Sequence, residues 1–321
     1  MRLLFVMDPP STIIVDEDTT FGLMLAATAR GHRVDYCRAQ DVWLDGDRPV
    51  AMIRSAEPRR DPTAPLTLGD PTEVFLGDID VVFLRKDPPF DGPYLWLTLI
   101  LEHLRDEKTV VVNDPRALRD ANEKLYTHHF APFMPRTIIT SDEARIRRFL
   151  EELGGEAIIK PVDGHGGASV YAIGLGDKNV RGLIEAVTHG GGRVAVVQQL
   201  IPEVSEGDKR ILLLEGEPIG AILRVPQGGD VRSNIHVGGT VVKADLDDRD
   251  REICAAMGPR LREDGLFFVG IDVIGRYLTE VNVTSPTGIQ QASRLGGEDL
   301  EAKVVAALEA KVKPIPSSPS R

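Results

Sequence analysis

The chain has 321 residues, 42% of them hydrophobic and 27% charged, so it is long enough for two or three domains with sizeable cores. Its formal net charge of −11 argues against a general affinity for nucleic acid or for anionic membranes. No apolar run of eighteen residues is present to span a membrane, and the first residues lack the cleavage site of a signal peptide.

In the first third of the chain, strand and helix patterns alternate. Strands are predicted over 2–7, 33–37, 80–85 and 109–113, and helices over 19–31 and 93–107. This βαβ order predicts an open, mainly parallel sheet. The stretch 57–70 is rich in Pro, Arg and Asp, and we predict that it forms an exposed loop.

The middle of the chain follows a β-α-β-β-α-β pattern. A helix is predicted to begin at Pro115 and to end at Pro132 or Pro135, and Ser141 is predicted to cap the next helix. A domain boundary is expected within 114–135. Strands are predicted over 136–140, 157–160, 169–173 and 193–201, and helices over 141–153 and 179–190.

The remaining chain predicts an antiparallel sheet with helices. One hairpin is expected over 209–225 and a second over 267–283, with a helix over 248–265 between them. The Gly-rich stretch 226–240 suits a mobile lid better than an ordinary surface loop. The Pro- and Ser-rich tail, 313–321, is predicted to fray.

A glycine cluster follows Lys160, at Gly164, Gly166 and Gly167. Successive amides without a Cβ can form a nest for an anion, and the ammonium group of Lys160 adds positive charge, so a polyphosphate would suit both. The pattern is neither a Walker A loop nor a dinucleotide fingerprint, and by itself it suits a flexible hairpin equally well.

A set of three oxygen-bearing side chains lies in the last predicted hairpin. Glu280 and Asn282 are two residues apart and therefore share one strand face. A three-residue turn at 275–277 would place Asp272 opposite Glu280, whereas a two-residue turn would direct Asp272 to the other face. With the longer turn, two carboxylates and an amide oxygen converge, which suits Mg²⁺, with Mn²⁺ as an alternative. A solvated strand face is the competing interpretation.

Two arginines of the first hairpin, Arg210 and Arg224, could lie near each other across it. Arg224 sits in an apolar run, where a guanidinium requires an anionic partner from the protein or from a ligand. Lys209 is expected to be a surface cation. Arg232 lies on the Gly-rich stretch.

Two of the N-terminal strands end in Asp-Pro sequences. Ligands of open parallel sheets collect outside the carboxyl ends of the strands. Asp8 could hold an ammonium group there, and Arg85 or Lys86 could hold a carboxylate. Each taken alone also suits a turn-forming Asp-Pro.

The histidines and cysteines do not predict a site. His128, His129 and His165 lack metal-site spacing, and no Ser-His-Asp or Cys-His arrangement can be assembled, so a covalent nucleophile is not supported. Cys37 and Cys254 lie far apart without CxxC spacing, which predicts reduced core thiols in a cytoplasmic protein.

Taken together, these motifs resemble a known family. Lys124, Lys160 with its glycine loop, and the D…E-x-N set resemble the ATP-grasp ligases. More closely, the chain resembles the bacterial glutathione synthetases over about residues 1–310, in the order of the segments VMDPP, RKDPPFD, VNDPRALRDANEKL, KPVDGHGGAS, EGDKR, RVPQGGDVRSN, FVGIDVIG and TEVNVTSPTGI. This resemblance implies ligation of γ-glutamylcysteine and glycine through an acyl phosphate, giving glutathione, ADP and phosphate.

The resemblance also implies an α/β ATP-grasp fold. It implies a Rossmann-like domain over 1–122, ATP-grasp subdomains over 123–201 and 202–312, and a flexible tail over 313–321. The expected partners are small molecules only, namely ATP, γ-glutamylcysteine and glycine, without nucleic acid or membrane. The protein is expected to be a cytoplasmic homo-oligomer, a tetramer by its relatives.

Site residues are implied in the same way, by motif. The ATP contacts are Lys124, Lys160, Gly164, Gly166, Gly167, the adenine segment Gln198, Gln199, Leu200 and Ile201, and Asp208 at the ribose. The Mg²⁺ ligands are Asp272, Glu280 and Asn282. The residues that stabilise the acyl phosphate and the tetrahedral oxyanion are Arg210 and Arg224. The residues around the peptide and glycine are Asp8, Arg85, Arg232, Ser285, Thr287 and Gly288.

Two other functions compete with this one. The chain could be another ATP-grasp ligase, joining D-alanine or adding glutamate, although the RKDPPFD segment argues against both. It could also be a non-catalytic ATP-binding protein of this fold, which would require an eroded magnesium set or eroded arginines, and both are intact.

Overall fold

The computed structural model describes residues 1–164, 166, 169–226 and 240–312, and the chain divides into two compact units. Unit 1 comprises Met1–Arg119, Asp264–Phe268 and the chain from Thr284 onwards, and unit 2 comprises Asp120–Glu263 and Val269–Val283. No helix within the described ranges has the length and apolar character needed to cross a membrane.

The first part of unit 1 contains eight strands and three helices. The strands are β1 (Arg2–Met7), β2 (Arg33–Cys37), β3 (Val42–Asp45), β4 (Arg48–Pro58), β5 (Leu66–Leu68), β6 (Thr72–Phe75), β7 (Val81–Arg85) and β8 (Val110–Val112). The helices are α1 (Thr19–Ala29), α2 (Gly92–Leu101) and α3 (Pro115–Asp120).

The described residues of unit 2 form nine strands and three α-helices, and the chain then returns to unit 1 with two more α-helices. The strands are β9 (Thr137–Thr140), β10 (Glu156–Pro161), β11 (Tyr171–Gly174), β12 (Ala195–Gln199), β13 (Asp208–Leu214), β14 (Glu217–Val225), β15 (Thr240–Lys243), β16 (Phe268–Ile274) and β17 (Tyr277–Asn282). The helices are α4 (Glu143–Glu152), α5 (Val180–Thr188) and α6 (Asp248–Glu263), followed by α7 (Ile289–Gly296) and α8 (Leu300–Lys311).

The predicted parallel pairing of β1, β2, β7 and β8 in unit 1 is confirmed, but the expectation of a mainly parallel sheet is wrong, because β3, β4, β5 and β6 join it in antiparallel orientation. Its strand order is β3-β4-β2-β1-β7-β8, and β1 runs parallel to β2 and β7, while β7 runs parallel to β8. Residues 3–6 of β1 are fully buried, as expected for a parallel strand covered on both faces. This arrangement brings the carboxyl ends of β1 and β7 side by side, with Met7 opposite Arg85.

An antiparallel extension of this sheet was not predicted. Strand β4 pairs with β2, β3, β5 and β6, all in antiparallel orientation. The predicted loop over 57–70 is therefore wrong at both ends, because β4 continues through Pro58 and β5 begins at Leu66. The Pro, Arg and Asp content is typical of a loop, and short strands such as β5 form because they pair with the longer β4.

The predicted helix from Pro115 to Pro132 is also wrong in its middle. Helix α3 ends at Asp120, and the Asn122 side chain then accepts hydrogen bonds from the backbone N–H groups of Lys124 and Leu125, both at 3.0 Å. Such local side-chain bonds compete with helix formation, so Lys124 lies in a turn. In the same way Asp142, not Ser141, caps α4, accepting from the N–H groups of Ala144 and Arg145.

Unit 2 contains two sheets. The first has the order β11-β10-β12-β9 and is antiparallel, with α4 and α5 packed against it through a core that includes Ile146, Leu150, Ile159, Ile184 and Val197. The second has the order β15-β14-β13-β16-β17 and packs against α6. Both predicted hairpins, β13–β14 and β16–β17, lie in this second sheet.

Helix α6 fixes the position of the β13–β14 hairpin. The hairpin turn consists of Glu215 and Gly216, both with positive φ (51° and 77°). A Cβ on Gly216 would lie 2.6 Å from the carbonyl oxygen of Gly258 in α6, so the two backbones are in close contact. At the other end, the Lys209 ammonium pairs with Asp250 of α6 and lies 3.4 Å from Asp247. Lys209 is therefore more than the surface cation expected.

We expect Gly216→Ala to lower the free energy of unfolding by about 2–4 kcal/mol, because the added Cβ would overlap the α6 backbone in addition to the cost of a positive φ. Gly190→Ala is the matched control, since Gly190 has a φ of 65° with no atom within 4 Å of an added Cβ. It should cost only about 1 kcal/mol. Urea unfolding followed by circular dichroism measures both, and equal losses would contradict the close contact.

Candidate active site

Two buried lysines meet one carboxylate in unit 2. The Lys160 Nζ donates to Glu280 Oε1 at 3.1 Å, and the Lys124 Nζ lies 3.7 Å from the same oxygen. Lys124 also donates to the carbonyl oxygen of Gly164, the first glycine of the loop after β10. Both lysines are buried. Two lysines thus share one carboxylate that lies more than a hundred positions away in sequence, close to the glycine loop.

The glycine loop is described only in part. Gly164 donates its N–H to the Pro161 carbonyl at 3.3 Å, which forms a turn, and Gly166 has a φ of 63°. Gly167, the last of the predicted phosphate-binding glycines, lies outside the described residues, as does Arg232 on the Gly-rich stretch.

The β16–β17 hairpin pairs Asp272 with Glu280, as one of the two sequence interpretations required. The turn has two residues, Gly275–Arg276, because Ile274 faces Tyr277. The expectation that a two-residue turn would direct Asp272 to the other face is wrong, because a register shift between Asp272 and Val273 adds one residue to β17 and brings Asp272 opposite Glu280. At this bulge, the Thr279 hydroxyl donates to the Asp272 carbonyl oxygen at 3.1 Å.

Asp272 is the centre of a network of buried charges. Arg210 binds its carboxylate with two hydrogen bonds, Nε to Oδ1 at 2.5 Å and Nη2 to Oδ2 at 2.9 Å. The Arg224 Nη2 lies 3.0 Å from Asp272 Oδ1 and also donates to Asp208 Oδ2. Asn282 donates its amide N–H to Asp272 Oδ2 at 3.2 Å. The prediction that Arg210 and Arg224 lie near each other and that Arg224 has an anionic partner is confirmed.

The charges around each carboxylate determine its pKa. Burial raises the pKa of Asp272, but Arg210 and Arg224 lower it more strongly, so it lies well below its usual range. Burial likewise opposes ionisation of Glu280, and Lys124 and Lys160 overcome it, so that the pKa is lowered. Burial outweighs Arg224 at Asp208 and raises its pKa to about 6. Asp272 and Glu280 are therefore anionic at neutral pH.

The side chains of this region fit a hard divalent cation. Two ionised carboxylates face each other across β16 and β17, and the Asn282 amide contacts one of them. Mg²⁺ and Mn²⁺ take such oxygen ligands. The residues that could hold the ion are those predicted, Asp272, Glu280 and Asn282.

The residues expected at the adenine lie at the end of β12. Gln198 is buried and donates its side-chain amide to the Thr137 hydroxyl at 3.0 Å. Its side chain therefore stabilises the neighbouring strand β9. Gln199 ends the strand, and Leu200 and Ile201 follow it. The chain leaves the sheet here and turns, and the carbonyl oxygen of Ile201 accepts from the Val204 N–H at 3.1 Å.

A second group of predicted residues lies in unit 1. Arg85, at the end of β7, is buried, and it donates from Nε to the Thr20 hydroxyl at 3.0 Å and from Nη2 to the Pro286 carbonyl at 2.9 Å. Burial lowers the pKa of this guanidinium. Asp8, after β1, accepts from the Asp87 N–H at 2.8 Å.

The stretch around Pro286 contains three further predicted residues. Ser285, Thr287 and Gly288 precede α7, and Gly288 is its N-cap with a φ of 105°. The hydrogen bond from Arg85 to Pro286 attaches this stretch to the carboxyl end of β7. Arg85 and the 285–288 stretch therefore lie together in unit 1, as the predicted substrate site requires.

Comparison with known proteins identifies the family. The prokaryotic glutathione synthetase N-terminal domain matches residues 1–119, and the prokaryotic glutathione synthetase ATP-grasp domain matches residues 123–297. The glutathione synthetase of Synechococcus elongatus is 46% identical over 321 residues, covering 97% of this chain and 99% of that protein. That of Rhodopseudomonas palustris is 44% identical over 311 residues, covering 97% and 99%. This chain belongs to the prokaryotic glutathione synthetase family.

Solved structures agree on the fold. The D-cycloserine synthetase DcsG has a TM-score of 0.69 at 17% identity, covering 98% of this chain and 100% of that chain. The ATP-grasp ligase PsnB has a TM-score of 0.63 at 17% identity, covering 97% and 98%. At this identity the likeness concerns the fold alone. The α/β ATP-grasp fold is confirmed, and this member of the glutathione synthetase family is an ATP-dependent ligase.

Sequence reasoning missed the partners of two predicted residues. Thr20 and the Pro286 carbonyl hold Arg85, and neither carries a local sequence signal, because both come from elements remote from β7. Asp208 pairs with Arg224. The two face each other because a register shift between Leu212 and Leu213 offsets β13 against β14, and no local sequence signal reveals that shift.

Stability should decrease as Asp208 ionises. Since its pKa is raised from 3.8 to about 6, the folded protein binds this proton more tightly than the unfolded chain. The resulting stabilisation is complete below pH 4 and is lost as pH rises through 6. Relative to Asp208→Asn, whose amide does not titrate, the wild type should lose about 2 kcal/mol between pH 4 and pH 7. Urea unfolding of both proteins at pH 4, 5.5 and 7 measures this difference. A difference of opposite sign would contradict the raised pKa.

Proposed function

We propose that this chain joins γ-glutamylcysteine to glycine at the expense of ATP, giving glutathione, ADP and phosphate. Family membership supports the reaction, since curated relatives that match nearly the whole chain are named glutathione synthetase. Within the structure, one observation carries the proposal. Lys124 and Lys160 share the Glu280 carboxylate, and Lys124 also donates to the carbonyl oxygen of Gly164, the first glycine of the loop. Such a cluster provides the positive charge that a triphosphate requires.

The buried cations would act on the phosphates. Glu280 pairs with both Lys124 and Lys160. ATP would bring phosphate oxygens to both ammonium groups, and the backbone of the Gly164–Gly167 loop would cover them. The adenine would lie against the Gln198–Ile201 segment, where the backbone leaves β12.

A divalent cation, Mg²⁺ or Mn²⁺, held by Asp272, Glu280 and Asn282 would neutralise charge on the transferring phosphoryl group. The chain itself supplies the rest of the electrostatic stabilisation. Arg210 and Arg224 lie on the same face as Asp272, and both are buried, so their charges act at low local dielectric.

The reaction needs no nucleophilic side chain. A carboxylate oxygen of γ-glutamylcysteine attacks the γ-phosphorus, the bond to the bridging oxygen breaks, and ADP leaves. The amine of glycine then attacks the acyl carbon, a tetrahedral oxyanion forms, and phosphate leaves while the amine loses its proton. Arg210 and Arg224 would stabilise the acyl phosphate and the oxyanion, which is the role that preorganised cations perform best.

The peptide and glycine would use residues of unit 1. Arg85 has two neutral oxygen partners, so its charge is suited to a substrate carboxylate. Asp8 would hold an ammonium group, and Ser285, Thr287 and Gly288 would supply polar contacts. We also place the enzyme in the cytoplasm, as a homo-oligomer.

We expect ADP release to require ATP, γ-glutamylcysteine and glycine together, and mass spectrometry to detect glutathione. Lys160→Met should lower turnover at least 100-fold, because it removes one of the two phosphate-facing cations. Lys303→Met is the control, since Lys303 is half-exposed on α8 and pairs only with the surface residue Glu298 among the described residues. Turnover with D-alanine in place of these substrates, or ATP binding without turnover, would contradict the proposed function.

Metal binding should depend on nucleotide. Both proposed carboxylate ligands are already in ion pairs, Asp272 with two arginines and Glu280 with two lysines. A metal ion that binds without nucleotide must therefore displace these contacts. Phosphates would compete for the lysines and release Glu280. We therefore expect Mn²⁺ to bind at least tenfold more tightly with a non-hydrolysable ATP analogue than without it.

Water-proton relaxation enhancement measures this binding and distinguishes the ternary complex from Mn²⁺-nucleotide in solution. Glu280→Gln should abolish the enhancement of the ternary complex, whereas Glu298→Gln, at an exposed position on the surface, should leave it unchanged. Equally tight Mn²⁺ binding to the nucleotide-free protein would show that the internal ion pairs do not compete with the metal.

A further inference from the structure

We propose that Asp208 is a positioning residue, whose carboxylate holds the Arg224 guanidinium in place while Asp272 engages a metal ion. The inference rests on the proposed function in one respect, because it takes Arg224 as the cation that stabilises the reacting groups. It differs from the role that the family resemblance implies for Asp208, a contact with the ribose of ATP.

The two residues are direct neighbours across the β13–β14 hairpin. Asp208 and Arg224 are Cα partners in the antiparallel register, and Arg224 Nη2 donates to Asp208 Oδ2. The exposed fractions are 6% for Asp208 and 4% for Arg224. Gly207 precedes this pair with a φ of 131°, and a Cβ there would lie 3.0 Å from the Arg224 carbonyl oxygen. The backbone thus brings the start of β13 against β14 where the ion pair forms.

A single nitrogen of Arg224 connects two carboxylates. Its Nη2 contacts Asp208 of β13 and lies 3.0 Å from Asp272 of β16. Asp272, in turn, is shared, because Arg210 binds both of its oxygen atoms. Both arginines therefore contact the Asp272 carboxylate, and Arg224 also contacts the carboxylate of Asp208.

This arrangement matters when a metal ion binds. The negative charge of Asp272 would then be engaged by the cation and would balance the arginines less well. A buried guanidinium without a counter-charge is strongly unfavourable. Asp208 is the carboxylate that stays with Arg224, so it keeps the charge of Arg224 balanced and its side chain in one orientation.

The two roles of Asp208 predict different kinetics. Loss of a ribose contact would weaken ATP binding and leave the chemical step intact. Loss of a positioning residue would lower turnover, because Arg224 acts on charge that develops during the reaction, and would leave ATP affinity nearly unchanged.

Asp208→Asn tests the inference, since asparagine keeps the size of the side chain and removes its charge. We expect turnover to fall at least 50-fold, with the dissociation constant of an ATP analogue changed less than threefold. Asp250→Asn is the matched control, because Asp250 is also a buried carboxylate paired with a cation of β13, Lys209, yet it belongs to α6 and not to the sheet that carries Asp272. It should lower the melting temperature and change turnover less than threefold.

A double-mutant cycle with Arg224→Ala separates positioning from general damage to the fold. If Asp208 acts through Arg224, Asp208→Asn should lower turnover less than threefold in the Arg224→Ala background. Added guanidinium chloride should raise the turnover of Arg224→Ala at least tenfold and that of the double variant far less. If Asp208→Asn does not fold, the same cycle is measured with Asp208→Glu, whose effect on turnover must also vanish in the Arg224→Ala background.

The outcomes separate this inference from the proposed function. Two results would overturn the inference alone, provided that the wild type makes glutathione. In the first, the effects of Asp208→Asn and Arg224→Ala on turnover multiply in the double variant. In the second, Asp208→Asn loses ATP affinity tenfold while its turnover stays normal. A wild type that ligates other substrates overturns the proposed function, and the cycle is then measured by ADP release in that reaction. A wild type that releases no ADP with any amine overturns both.

Discussion

The structure depends on the neutralisation of buried charge inside unit 2. Lys124 and Lys160 are balanced by Glu280, and Arg210 and Arg224 by Asp272 and Asp208. Ions removed from water carry a desolvation cost of several kcal/mol each, so none of these groups could be buried alone. The protein therefore folds with these cations paired to its own carboxylates. Under the proposed function, substrate binding would be an exchange of partners, in which phosphate and metal replace internal contacts without exposing an uncompensated charge.

This exchange explains why the cations lie on strands and short turns of two sheets. Lys160 belongs to β10, Arg210 to β13 and Arg224 to β14, and α6 holds the last two strands through Lys209 and the Gly216 turn. A cation on such elements keeps its position when its partner changes. Lys124, in the turn stabilised by Asn122, is the exception among the four, and its contact with Gly164 connects it to the loop expected to cover the phosphates.

Much of the fold followed from local patterns. Sequence predicted the strands β1 and β7 and the hairpins β13–β14 and β16–β17. A strand buried on one face has alternating apolar residues, and one buried on both faces has a continuous apolar run, so both patterns are visible in the sequence. The helix through Lys124 was predicted wrongly, since the side chain of Asn122 decides between helix and turn by hydrogen bonds that periodicity does not reveal. The antiparallel strands around β4 were missed because short edge strands obtain their stability from a neighbour rather than from their own composition.

The site was predictable to a similar degree. Residue types and motif order placed Lys124, Lys160, Arg210, Arg224 and the 272–282 set together. Sequence could not give the pairing of each cation with a particular carboxylate, because that depends on register between strands. Asp208 illustrates this limit, since its contact with Arg224 follows from a cross-strand position and not from any motif.

The bulge at Thr279 links the length of one turn to the arrangement of two carboxylates. It lies between the hairpin turn and the Asp272–Glu280 pair. Without the extra residue in β17, a two-residue turn would pair Asp272 with Thr279 and not with Glu280. A tip one residue longer would preserve the same facing carboxylates only if the bulge disappeared at the same time. An insertion at Gly275–Arg276 is therefore compensated by a deletion near Thr279. A homologue with a turn one residue longer can keep the two carboxylates opposite each other with a regular β17.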